Sequence, residues 1–245
     1  MDRIIYTTMT GANAASQRMA VLSNNLANAS TTGFRAEMTT FRSVPVQGQG
    51  SSTRVFALDA TSGHSQVPGP AMTTGKSTDL MARGNSWFAV QGLDGLEAYT
   101  RSGAFEVTEQ GQLVTATGLP VLSDGGGPID IPQNAKVSFG ADGTVVAALP
   151  DQQPINVGRI KLVTPTAEQD IKRSDDGLFR GVEGDLPADA NARVLQGALE
   201  GSNVNAVEEM VGMIAASRQF EQQMKLLTTA ETNDKTASQL LSMNG

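Results

Sequence analysis

The chain has 245 residues, no cysteine, a single histidine, 4% aromatic residues and a formal net charge of −7. An acidic chain lacks the cationic footprint that nucleic acid or an anionic membrane surface requires. Without cysteine there is no disulfide, thiolate nucleophile or cysteine-based metal centre, and His64 alone gives little basis for general-base catalysis or a multi-histidine metal site. The reading is therefore no enzyme, with no catalytic residues, cofactor or metal, no nucleic acid and no direct membrane insertion. No run approaches the 18 apolar residues of a membrane span. The N-terminus has no apolar h-region, so export would not use a cleaved signal peptide.

Proline placement divides the sequence. All ten prolines fall between Pro45 and Pro187. Because proline breaks helix interiors, long helices are permitted only at the two ends. Residues 1–42 read as an amphipathic helix followed by a turn. Ile5, Ala12, Met19 and Leu26 recur every seven residues, Ala15 and Leu22 form a second row, and Met9 joins the same assembly face. The helix should end near Asn28, where Asn28-Ala29-Ser30-Thr31-Thr32-Gly33 supplies turn residues. Residues 43–80 are rich in Ser, Thr, Gly and Gln and read as an extended linker.

Residues 81–195 read as an antiparallel β domain, sandwich-like or barrel-like, giving an α+β fold class. Short strands are expected at 86–92, 97–101, 104–107, 112–115, 120–122, 136–139 and 144–147, punctuated by glycine turns. Gly158-Arg159-Ile160-Lys161-Leu162-Val163 alternates well enough to read as one further strand. Residues 196–245 contain the second helix. Asn205 is its N-cap, and Val207, Met210, Val211, Ile214, Phe220, Met224 and Leu227 recur at helical spacing. From Asn205 to Leu241 this helix would span roughly 55 Å at 1.5 Å per residue. That is too long to be covered by one small domain, so a partner must cover its apolar stripe. Pairing with the N-terminal helix as a coiled coil on assembly is the expected solution.

The chemical motifs are weak. Gly69-Pro70-Ala71-Met72-Thr73-Thr74-Gly75-Lys76-Ser77 has one residue too many between its glycines for a phosphate loop, and no strand leads into it. His64 lies in a polar stretch and reads as a solvated side chain. Asp175-Asp176-Gly177 lacks the alternating carboxylates of a calcium loop and reads as a turn. Eight of the ten methionines lie in the two terminal segments. Thioethers repack readily, which suits a surface that meets neighbours of slightly different shape.

Three sets of residues carry a family resemblance. Ser23-Asn24-Asn25-Leu26-Ala27-Asn28-Ala29-Ser30-Thr31-Thr32-Gly33-Phe34-Arg35 resembles the N-terminal signature of the flagellar rod and hook protein family. Leu199-Glu200-Gly201-Ser202-Asn203-Val204, with Arg218-Gln219-Phe220-Glu221, resembles its C-terminal signature. Trp87-Phe88-Ala89-Val90 and Tyr99-Thr100-Arg101-Ser102-Gly103-Ala104-Phe105 resemble its central strands. Val44-Pro45-Val46 and Arg173-Ser174-Asp175-Asp176-Gly177-Leu178-Phe179-Arg180 look most like the proximal-rod branch. The resemblance implies a structural subunit of the proximal rod of the bacterial flagellar basal body, in the rod that crosses the periplasm. It would assemble with copies of itself and other rod proteins into a torque-transmitting tube, after passage through the flagellar type III export apparatus. Asn24, Asn25, Leu26, Ala27, Asn28, Gly33 and Phe34 are the motif positions carried over. The alternatives are a distal-rod or hook paralogue, or a secreted β-domain adhesin or binding module.

Overall fold

The computed structural model describes residues 2–45, 55–150, 152–166 and 168–242. The fold is α+β, with two helices at the chain ends and a mostly antiparallel β body between them. It divides into two compact units. One comprises residues 1–27, 37–63 and 204–245, and the other residues 28–36 and 64–203.

The helical unit holds α1 (Asp2–Ala27), β1 (Glu37–Pro45), β2 (Val55–His64) and α2 (Ala206–Ser242). β1 and β2 pair as a two-stranded sheet. The stretch 43–80, which reads as a linker, thus contributes the end of β1, all of β2 and a further strand, β3 (Ala71–Thr73). The expected Val44-Pro45-Val46 motif is described only through Pro45. Helix α2 begins as its cap predicts: the Val207 N–H donates to Asn205 Oδ1 at 3.2 Å, and Glu208 and Glu209 place negative charge in the first turn.

The two helices run antiparallel. Gly11 faces Gln223, Leu22 faces Gly212, and Asn25 Nδ2 donates to Glu209 Oε1 at 3.3 Å. Each step forward along α1 is matched by an equal step back along α2, so the register is constant. Small residues permit the approach: a Cβ added at Gly212 would lie 3.3 Å from Leu22. Ala12, Ala15 and Ala216 are buried in the same unit. At 37 residues against 26, α2 runs on past the start of α1.

The β unit consists of short strands. β3 (Ala71–Thr73) pairs with β16 (Ala198–Glu200), and β4 (Leu80–Ala82) with β15 (Val194–Gln196). The largest sheet has five strands in the order β12 (Leu162–Val163), β5 (Trp87–Gln91), β6 (Glu97–Thr100), β14 (Phe179–Gly181) and β13 (Ile171–Arg173). β7 (Phe105–Val107) pairs with β8 (Leu113–Thr115). β10 (Thr144–Ala148) lies between β9 (Lys136–Phe139) and β11 (Ile155–Arg159).

β5 is covered on both faces. Strand alternation sends Phe88 and Val90 into the main core with Leu80, Phe105 and Val121. Trp87 and Ala89 face a second core with Tyr99, Ile171 and Phe179. That explains why 87–90 is a continuous apolar run. One expectation fails in detail: 158–163 is not a single strand. The chain changes partners at its middle, where Ile160 N–H donates to Gly143 O and Lys161 N–H to Leu122 O, so β11 and β12 belong to different sheets. Residues 120–122 make isolated bridges to Val90, Val114 and Pro128 in place of a ladder strand.

Candidate functional site

The helical unit presents the predicted assembly residues on two different faces. Ala12 and Ala15 are buried, and Ile5, Met19, Leu22, Leu26, Phe220 and Leu227 are half-buried. Met9 is exposed, as are Val207 at 68%, Met210 at 47%, Val211 at 63%, Ile214 at 56% and Met224 at 42%. The single stripe read from hydrophobicity therefore resolves into two. The line that packs within this chain includes small and polar residues, Gly212, Ala216 and Gln223, which a count of large apolar side chains passes over. The large residues of the first α2 turns face outward, together with Tyr6 of α1.

Asn25 is the more deeply buried of two buried polar residues described in this unit, 2% exposed against 6% for Thr8. Its Oδ1 accepts from the Glu37 N–H at 2.8 Å and its Nδ2 donates to Glu37 O at 3.0 Å. One side chain thus satisfies both backbone groups where β1 begins, in the manner of a strand partner. The adjacent Glu209 carboxyl is held above the ordinary glutamate range, mainly by burial, with the Asn25 bond pulling the other way. The neighbouring motif residues Asn24 and Ala27 are exposed, and Asn28 is half-buried.

The β unit contains a buried ionic cluster at the far end of the same motif. Gly33 has φ +71°, and a Cβ there would meet the Arg101–Ser102 peptide at 2.4 Å, so only glycine fits. Its N–H donates to Glu200 O at 2.8 Å. Phe34 is buried, and the Arg173 guanidinium lies 4.7 Å from its ring centroid. Arg35 follows, with Nη2 2.9 Å from Glu200 Oε1 and Nη1 donating to the carbonyls of Gln66 and Val67.

Arg101 reaches Glu200 from the other side, through Nε at 2.7 Å and through Nη2, and also donates to the carbonyls of Ala82 and Ser86. Gly69 N–H supplies a further donor to Glu200 at 3.0 Å. The side chains of all three charged residues are at most 1% exposed. Both guanidiniums lie over the Trp87 ring, 5.9 and 5.8 Å from its centroid. Burial, the larger influence, lowers both arginine pKa values and Glu200 opposes it. Asn203 completes the arrangement, accepting from Ala36 N–H at 2.7 Å and donating to Val67 O at 2.8 Å.

Arg35, Arg101 and Glu200 stand within the quoted signatures, but residue type alone does not single them out. The available signal was the appearance of charged residues inside otherwise apolar or small-residue motifs. His64 also differs from its reading as a solvated side chain. It is half-buried, with its ring 4.8 Å from Phe179 and 5.8 Å from Trp87. Burial pushes its pKa below the ordinary value, Asp170 opposing and Arg35 adding to the shift. Among the described residues, no group of three or more His, Cys, Asp or Glu is placed to hold a metal ion, and no helix is long and apolar enough to cross a membrane.

A unit of paired terminal helices with an outward apolar face, and a β unit braced by buried arginines, are the features of a structural subunit. Three family profiles match. "Flagella basal body rod protein" covers residues 5–35, "Flagellar hook protein FlgE/F/G D1 domain" residues 81–147, and "Flagellar basal body rod FlgEFG protein C-terminal" residues 195–240. The chain is 43% identical over 254 residues to the flagellar basal-body rod protein FlgF of Salmonella typhimurium strain LT2, covering both chains completely. It is 44% identical over 255 residues to FlgF of Escherichia coli K12, again with complete coverage. FlgF of Caulobacter vibrioides is 36% identical over 251 residues, also end to end. The chain belongs to the FlgF family of flagellar basal-body rod proteins. These matches give no support to the adhesin alternative.

Proposed function

We propose that the protein is a structural subunit of the proximal rod of the flagellar basal body, held in place by its terminal helices. The observation that carries the mode of assembly is the outward face of α2, where Val207, Met210, Val211 and Ile214 are each about half-exposed or more. Covering such side chains is worth roughly 1–2 kcal/mol apiece. Four of them supply about 4–8 kcal/mol, against an association cost of about 4–15 kcal/mol. One pairwise contact stands near balance, so lasting incorporation needs several neighbours at once. A growing tube end provides them, and free subunits in solution do not.

In this reading the antiparallel α1–α2 pair joins the helices of other copies and other rod proteins in a coiled-coil wall. Torque passes along that wall. Passage through the type III export apparatus is what family membership implies, and a cysteine-free chain carries no disulfide to obstruct it.

The cysteine-free sequence makes the test clean. A photocrosslinker attached through the thiol of Ile214→Cys, in basal bodies isolated from a motile strain, should couple the chain to a neighbouring subunit upon irradiation. Immunogold labelling of a tagged copy should mark the proximal end of the rod. Labelling at the distal end would favour a distal-rod role, and unlinked chains in intact rods would refute assembly through this face.

A further inference from the structure

The loop after α1 walls a cavity of about 480 Å³ inside the β unit. Its lining includes Thr31, Phe34, Arg35, Arg101, Arg173 and Phe179. Three guanidiniums border this space, and their negative charge is short. Glu200 serves both Arg35 and Arg101. Asp176, the carboxylate on the wall, is engaged by Arg180 at 2.7 Å, and Asp94 contacts the same guanidinium at 2.9 Å, so with Glu200 three carboxylates stand against four guanidiniums.

Among the described residues, three guanidinium nitrogens at this cavity lack a hydrogen-bond acceptor, one of which, Arg35 Nη2, is still held by its ion pair with Glu200. Arg35 is 1% exposed and its Nε–H is buried and unpaired, and the buried Nη1 of Arg173 is likewise unpaired. Buried donors without acceptors are costly, and two unpaired guanidinium N–H groups suit a planar carboxylate. The rings of Phe34 and Phe179 suit the methylene stem that carries such a group.

We propose that this cavity is a carboxylate-binding site that receives an acidic side chain from an adjoining rod subunit. The choice of neighbour rests on the rod reading, and the carboxylate chemistry does not. Charge complementarity supports the occupant: the chain carries 25 acidic residues and a net charge of −7, so copies present acidic surfaces to one another. Once such a side chain enters, the excess positive charge of the cluster is matched and both unpaired donors are used.

Two experiments test this on the full chain. Glutarate is titrated into the purified protein while the arginine Nε–Hε NMR signals are followed, with neutral glutaramide, sodium chloride at equal ionic strength and inorganic phosphate as comparisons. Saturable shifts at Arg35 and Arg173 with glutarate alone, and about tenfold weaker binding in Arg173→Gln, are expected. No saturable shift, an equal response to chloride, or tighter binding of phosphate overturns the carboxylate site.

In isolated basal bodies carrying Arg173→Lys, a carbodiimide should then couple the introduced amine to an acidic residue of another subunit, read by mass spectrometry. Coupling only within one chain, or none, overturns the neighbour as occupant. If the protein is absent from basal bodies the rod reading fails, and the glutarate titration still reads the cavity by itself.

Discussion

Replacing Glu200 by Gln should be the most damaging conservative change in the β unit. Glu200 is the single carboxylate between two guanidiniums, contacting Arg35 at 2.9 Å and Arg101 Nε at 2.7 Å, and it also accepts from Gly69 N–H at 3.0 Å. All three side chains are out of water, so solvent cannot screen what is left. Removing one partner of a buried ion pair costs about 3–5 kcal/mol, because the remaining charge is uncompensated. At about 2–4 °C per kcal/mol for a chain of this size, the melting temperature should fall by about 6–20 °C. Trp87, the sole tryptophan, is 1% exposed and lies beneath both arginines, so its fluorescence reports unfolding of this region. Arg101→Gln should cost less, since it leaves Arg35 and Glu200 as a balanced pair. A fall of less than about 2 °C for Glu200→Gln, or a larger loss for Arg101→Gln, would refute the electrostatic reasoning.

Gly33→Ala should destabilise by about 1–3 kcal/mol or more, because φ is +71° and the new methyl would press on the Arg101–Ser102 peptide; tryptophan-monitored urea unfolding measures it. Asn25→Ala should cost about 1–3 kcal/mol, since it strips both backbone partners from Glu37, and hydrogen exchange at the Glu37 amide should accelerate with it. For His64 the folded pKa lies below the unfolded value of 6.5, so neutral His64 stabilises the fold above that pH. This contribution is lost as pH falls from about 6.5 through the folded pKa. Melting curves at pH 7.5 and 5.5 should therefore show a smaller acid loss in His64→Gln than in the parent, and equal losses would contradict the assignment.

Some elements could be read from the residues and others could not, for physical reasons. Proline exclusion and seven-residue spacing locate α1, and Asn205 marks the start of α2 to within a residue, because capping and helix breaking are local effects. Glycine turns and alternation locate β5 to β10 for the same reason. The strands in 43–80 escaped because β1 and β3 carry many exposed residues and β2 mixes polar and small residues, so they are defined by their partners, not by their own pattern. The break between β11 and β12 is equally non-local: Ile160 and Leu162 are both buried, and the partner switch at 159–161 leaves no trace in alternation. The motif positions Asn25, Gly33 and Phe34 were visible through family resemblance. The convergence of Arg35 and Arg101 on Glu200, over the Trp87 ring, joins residues up to 165 positions apart and appears only in the folded chain.

The central claim is that the outward face of α2 is where this subunit meets its neighbours. It is tested most directly by Met210→Glu combined with Ile214→Glu, two positions exposed in the single chain. The purified variant should melt within about 1 kcal/mol of the parent, as exposed substitutions do. Basal bodies from the corresponding strain should lack a completed rod, and the cells should not swim. Complete rods containing the variant, in normally motile cells, would contradict the account.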